Sequence, residues 1–137
     1  MVNSRSLSDL NPKVAALCSE FINSCKKQNI DIIITSTYRD ADSQNALYAQ
    51  GRTTPGKKVT NAKAGQSFHN WKVAFDFCPI VNGKAMWNDV ALYTKCGEIA
   101  ESIGLEWAGR WVKFPETAHC QYTGGLTLAD FQAGKTL

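Results

Sequence analysis

The sequence contains two histidines, and each stands near an acidic residue in its own stretch: His69 ahead of Asp76, and His119 three residues after Glu116. Two imidazoles and one carboxylate form the usual three-ligand set of a catalytic zinc site, with bonds of about 2.0 to 2.2 Å and a fourth position left for water. Counted that way, Glu116 is the carboxylate left over to carry a proton. Taken singly, either motif also reads as an ordinary surface or hydrogen-bonded histidine, because short matches recur by chance.

Seven positions separate His69 from Asp76, so an uninterrupted strand would send them to opposite faces. A bend near Asn70-Trp71 must intervene, making His69 a loop-end ligand and Asp76 a strand ligand, with His119 arriving from a neighbouring strand. Val73, Phe75 and Phe77 alternate with Lys72, Ala74 and Asp76, which puts the large apolar row on one face and Asp76 on the other. His119-Cys120-Gln121-Tyr122 has the same alternation and places His119 and Gln121 together.

The remaining elements frame these segments. Asn11 before Pro12 reads as a cap and first position of a helix from Pro12 to Gln28, with Val14, Leu17, Cys18, Phe21, Ile22 and Cys25 on its apolar face. Ile30 to Thr35 is a short β-branched run, read as a buried strand that delivers Ser36-Thr37-Tyr38-Arg39 to its end. A short helix over Asp42–Gln50 is expected to pack Ala46, Leu47 and Ala49, with Gly51 as its cap, followed by a long loop to Gly65. Asn82-Gly83 signals a turn. Asn88 is expected to cap a helix to about Ser102 that turns Val90, Tyr93, Gly97, Ala100 and Ile103 inward and stops at Gly104. Leu105 to Trp107 begins a strand, Gly109 to Pro115 is a loop, and Thr127 with Asp130 resembles a capping box for a last short helix. The order predicts one α+β domain spanning 1–137, with helices packed on a small, mainly antiparallel sheet.

Composition narrows the function classes. With 137 residues, 44% hydrophobic and 20% charged, the chain is long enough for a core of its own. Its net charge of +3 comes without an arginine-rich run or aromatic-basic interleaving, so no nucleic-acid partner is expected. Met1 to Asn11 is polar, which predicts neither a secretory signal nor a membrane anchor, and synthesis in a cytoplasm. Five cysteines without a CxxC pair read as buried free thiols. Lys57, Lys58 and Lys63 read as a solvated loop, Trp107 as core, and Trp111 as the tryptophan best placed for a cleft wall.

Gly65-Gln66-Ser67-Phe68-His69-Asn70-Trp71-Lys72-Val73-Ala74-Phe75-Asp76-Phe77 resembles the SxHxxGxAxD signature of D-alanyl-D-alanine carboxypeptidases and phage L-alanyl-D-glutamate endopeptidases, the VanY-like zinc peptidases. Glu116 to His119 resembles their ExxH motif. Ser36-Thr37-Tyr38-Arg39 with Gln44, Leu47-Tyr48 and Gln50-Gly51-Arg52 resembles their YR...Q..LY..GR stretch. The resemblance implies a hedgehog/D-Ala-D-Ala peptidase-like fold and one zinc ion on His69, Asp76 and His119. It implies a catalytic carboxylate at Glu116, a substrate- or oxyanion-contacting Arg39, and a substrate region including Ser67, Gln44 and Trp111. For Arg39, a salt bridge to Asp40 or Asp42 is the structural alternative. Two departures stand out: Lys72 replaces the family's usual glycine, and the endolysin branch often has aspartate where Glu116 stands.

The implied chemistry is peptide hydrolysis on peptidoglycan stem peptides, with zinc acidifying a water and polarising the carbonyl. The expected protein is a monomeric phage endolysin with L-alanyl-D-glutamate endopeptidase activity, made in the host cytoplasm and acting on the wall once the inner membrane is breached. A D-alanyl-D-alanine carboxypeptidase or dipeptidase, and a non-catalytic zinc-stabilised wall-binding module, are the alternatives.

Overall fold

A computed structural model describes all 137 residues. Helix α1 spans Pro12–Lys27; the Asn11 side chain accepts from the Lys13 amide, and Val14, Cys18, Phe21 and Cys25 are buried along one stripe. Asn29 then takes a left-handed turn (φ 60°), releasing the chain into strand β1, Asp31–Ser36. Helix α2, Ala41–Ala49, is capped by Asp40, whose carboxylate accepts from the Ser43 and Val2 amides at 2.8 Å each. It turns Ser43 and Gln44 inward, while Ala46, expected to pack, is exposed.

Strand β2 runs Ala74–Val81, starting later and ending beyond the Lys72 to Phe77 alternation, and the Asn82-Gly83 turn returns it as the two-residue strand β3, Lys84–Ala85. Helix α3 spans Val90–Ser102. Its cap is Asp89, accepting from the Leu92 amide at 3.0 Å, rather than Asn88. That shift leaves Val90 at the first helical position and 64% exposed instead of inward. Strands β4, Glu106–Trp107, and β5, His119–Gln121, complete a sheet of order β1-β2-β5-β4 in which every pairing is antiparallel, with β3 on the end of β2. Helix α4, Leu128–Gln132, opens on the Thr127/Asp130 capping box.

The sheet separates two jobs. On one face Phe75, Phe77 and Cys120 join the buried residues of α1 and α3, with Phe21 edge-on to Phe77 at 5.0 Å between ring centres. Trp107 is 3% exposed, as its core assignment requires, and its indole lies where a Cβ on Gly97 or Gly109 would overlap it. All five cysteines are buried free thiols. The opposite face carries Asp76, His119 and Gln121.

Candidate active site

Residues directly opposite on antiparallel strands share a face, and β2 and β5 pair Asp76 with His119. On the other side of β2, an irregularity between Ile34 and Ser36 sets Ser36 opposite Asp76. His69 reaches the same point by a different route. The chain makes a short 3-10 turn over Phe68–Trp71, opened by the Ser67 hydroxyl accepting from the His69 amide at 3.2 Å and closed by Lys72 in the left-handed region (φ 65°, ψ 26°). This is the bend that the odd spacing demands. It also accounts for the family glycine: the position needs a conformation glycine adopts freely and lysine adopts at a cost.

Helix α4 braces the turn from outside. Trp71 stacks on Phe131 at 6.0 Å and donates its indole N–H to the Gly65 carbonyl, which also accepts from Gln132.

His69 Nε2 lies 3.2 Å from Asp76 Oδ1, and His119 Nδ1 lies 3.3 Å from the same oxygen. Each imidazole has its other nitrogen against an acceptor: His69 Nδ1 donates to the Thr37 carbonyl, and His119 Nε2 donates to Gln121 Oε1, both at 2.8 Å. The inward nitrogens are thereby left with lone pairs, as metal-binding histidines require. A tetrahedral ion with bonds near 2.05 Å sets its ligand atoms roughly 3.3 Å apart. The two measured separations match that value, and all three donor atoms lie within 4.8 Å of one another. Two lone pairs facing one carboxylate repel unless a proton or a metal cation lies among them, and the donor set fits a zinc ion held by His69, Asp76 and His119.

The charges respond to each other. In metal-free protein, with protons on the inward nitrogens, burial pushes the Asp76 carboxyl up, but the charge of His69 and the hydrogen bonds from both imidazoles outweigh it and hold the group well below the ordinary carboxylate range. Burial lowers His119, yet its contact with Asp76, with help from Gln121 and Glu116, leaves it above its ordinary value.

These groups sit in a cleft of about 970 Å³, lined among others by Arg39, Ser67, Trp111 and Glu116. Glu116 is 56% exposed, with Oε2 3.6 Å from His119 Nδ1. Trp111 stands 5.5 Å from the His119 ring. Arg39 makes no ion pair with Asp40 or Asp42; its Nη1 donates to Gln44 Oε1 at 2.9 Å and its Nη2 to Ser36 Oγ at 3.3 Å. Burial lowers the guanidinium, and the nearby charges of Asp76 and Glu116 oppose that shift.

Gln44 is fully buried, gripping Arg39 and the Ala62 carbonyl, so the structure places it behind Arg39 rather than at the cleft surface. Arg52 is likewise internal to its loop, donating to the Tyr48 and Thr60 carbonyls. Thr37 and Glu106 were not singled out from sequence. A backbone carbonyl such as that of Thr37 leaves no residue-type signal, whereas the alternation of β5 does mark Gln121 as a neighbour of His119.

The sequence matches the VanY family, D-alanyl-D-alanine carboxypeptidase, over residues 7–124. It is 34% identical over 129 residues to the peptidoglycan L-alanyl-D-glutamate endopeptidase CwlK of Bacillus subtilis (strain 168), covering 83% of this chain and 74% of that protein. In fold it resembles the L-Ala D-Glu endopeptidase ChiX of Serratia marcescens (TM-score 0.66, 16% identity, 95% and 92% of the two chains). It also resembles a vancomycin-resistance D,D-pentapeptidase VanY solved in complex with Zn(II) (TM-score 0.63, 14% identity, 90% and 83%). The antiparallel sheet, the packed helices and the match across most of the sequence agree: this chain is a peptidase of the VanY family.

Proposed function

We propose that this chain is a zinc-dependent endopeptidase that cuts the L-alanyl-D-glutamyl bond of peptidoglycan stem peptides. The observation carrying this reading is the convergence of the His69, Asp76 and His119 donor atoms within 4.8 Å of one another, both imidazoles at ligand spacing from Asp76, with Glu116 beside them. The choice of bond follows the 34% identity to CwlK, whose name specifies that bond.

When bound, zinc supplies a Lewis acid for the scissile carbonyl and lowers the pKa of a water to about 7. His69 and His119 offer their inward nitrogens, and Asp76 offsets one unit of the ion's charge. Glu116, open to the cleft, takes the proton from the attacking water and delivers it to the departing amine, a role contributing about 10² to 10⁴ in rate. Arg39, held at both terminal nitrogens, points a fixed cation at the oxyanion or a substrate carboxylate. Ser67 and Trp111 line the wall that receives the peptide, and Gln44 acts by holding Arg39. One chain contributes every one of these groups, so a monomer is a complete catalyst.

Digestion of purified peptidoglycan followed by mass spectrometry tests the reading. A new alanine carboxyl end with a new glutamate amine is the expected product. Free D-alanine would instead support the carboxypeptidase reading that the family description favours. The phage-lysis role belongs to the same proposal: added to cells with a permeabilised outer layer, the protein should clear the suspension, and unchanged turbidity would argue against it. Glu116→Ala separates an enzyme from a wall-binding module, since only an enzyme loses turnover while keeping its metal.

A further inference from the structure

Gln121 stands between two partners. Its Oε1 accepts from His119 Nε2 at 2.8 Å, and its Nε2 donates to Glu106 Oε2 at 3.4 Å. That same Glu106 oxygen accepts from the indole N–H of Trp111 at 2.8 Å.

The order of donors and acceptors matters because two of these side chains are ambiguous. A glutamine amide can turn either its oxygen or its NH₂ to a neighbour, and a neutral imidazole can carry its proton on either nitrogen. A carboxylate only accepts. Placed where it is, Glu106 draws the NH₂ of Gln121 toward itself and leaves Oε1 facing His119. That in turn keeps the proton on Nε2 and the lone pair on Nδ1, the nitrogen 3.3 Å from Asp76. Asp76 pulls the other way, since an acidic oxygen there favours a proton on Nδ1. His69 Nε2 faces the same pull at 3.2 Å, but its Nδ1 meets a backbone carbonyl that cannot turn round.

We infer that Glu106 is a positioning residue: acting through Gln121, it holds His119 in the metal-ready tautomer and with the same oxygen fixes Trp111 against the cleft. The carboxylate on β4 touches neither the ligand oxygen nor Glu116, so its effect passes through the amide and the indole. The inference rests on reading His119 as a zinc ligand. Glu106 is exposed, so its replacement leaves the core untouched.

The test uses the full chain with zinc and two readouts independent of turnover. Zinc affinity is measured by competition with a chromophoric chelator, and the ring N–H of His119 is followed by proton–nitrogen NMR in zinc-loaded protein, where two histidines make assignment direct. Glu106→Lys places a donor where Gln121 needs an acceptor, so the amide reverses. Zinc Kd should rise about 10- to 100-fold, the range for losing the outer partner of a metal-binding histidine, and the hydrogen-bonded ring N–H signal should broaden or disappear. Glu106→Ala removes the acceptor without adding a donor; it should give a smaller rise in the same direction and keeps the test decisive if the lysine variant misfolds. Trp111→Phe, which leaves the Glu106–Gln121 contact in place, should keep both the affinity and the signal. If Glu106→Ala binds zinc within twofold of wild type and keeps the ring N–H signal, the inference is overturned. Failure of the wild-type chain to bind zinc would instead remove the ligand assignment itself.

Discussion

Asp76 and His119 place opposite demands on pH, and which demand governs stability depends on the metal. In metal-free protein, Asp76 titrates well below its ordinary 3.8 because, against burial, the charge of His69 and the bonds from both imidazoles hold it ionised. A depressed carboxyl contributes stability above its unfolded value and loses it as pH falls through the folded one. His119 lies above its ordinary 6.5, since its contact and charge interaction with Asp76 outweigh burial. A raised imidazole contributes stability that is complete below about 6.5 and is lost as pH rises through its folded value. Metal-free protein should therefore be most stable in mild acid and weaken as pH rises above about 6.5. On the proposed ligand assignment zinc should reverse the trend, because protons compete for the ligand nitrogens; each displaced proton changes Kd about tenfold, or about 1.4 kcal/mol, per pH unit. Free zinc at 100 times Kd stabilises by about 2.7 kcal/mol. For a chain of this length about 1 kcal/mol moves Tm by about 4 °C, so at about pH 7.5 the zinc-induced shift should be about 11 °C. Weakening the affinity about 10- to 100-fold, as expected near pH 5.5, leaves about 2 to 6 °C by the same arithmetic. Thermal melts with chelator and with zinc across this range, paired with chelator competition, measure both trends. A zinc-induced shift that is constant or grows toward acid, or an Asp76→Asn variant that binds zinc as tightly as wild type, would refute the reasoning.

Further substitutions separate chemistry from architecture. Glu116→Gln should lower kcat about 10² to 10⁴ while zinc affinity and Tm stay within error of wild type, measured by peptide release and thermal melts; a loss confined to KM would point to a binding role. Gly97→Ala drives a Cβ into the Trp107 indole and should destabilise by about 1 to 3 kcal/mol in denaturant unfolding. A neutral result there would mean that the indole moves freely, which its 2.8 Å bond to the Thr117 carbonyl argues against. Lys72→Gly relieves a left-handed lysine but frees the unfolded chain and removes the ammonium lying 4.8 Å from the Tyr38 ring centre, so stability should change by less than about 1 kcal/mol and activity should persist.

Which parts of the site could be read from sequence follows from what each depends on. His69, Asp76 and His119 were legible because their residue types are scarce and their chemistry narrow. The bend between the first two was legible because seven positions cannot keep one face of a strand. Neither fact reveals that Asp76 pairs with His119, since register is set by contacts between segments more than forty residues apart. Gln44 shows the limit from the other side: the motif marks it as belonging with Arg39, and the spacing is right, but whether a glutamine meets the cleft or backs the arginine depends on which way a nine-residue helix is rotated. Its short apolar pattern suggested Ala46 as the inward residue, whereas the cap at Asp40 and the bond to Ala62 turn Ser43 and Gln44 in. Polar contacts set that rotation more firmly than a weak apolar face can. The same holds around His119, where the chain from Glu106 through Gln121 is carried by hydrogen-bond direction, a property with no periodicity to read. In this small domain hydrophobic pattern places the backbone, and donor–acceptor logic aims the groups that do the chemistry.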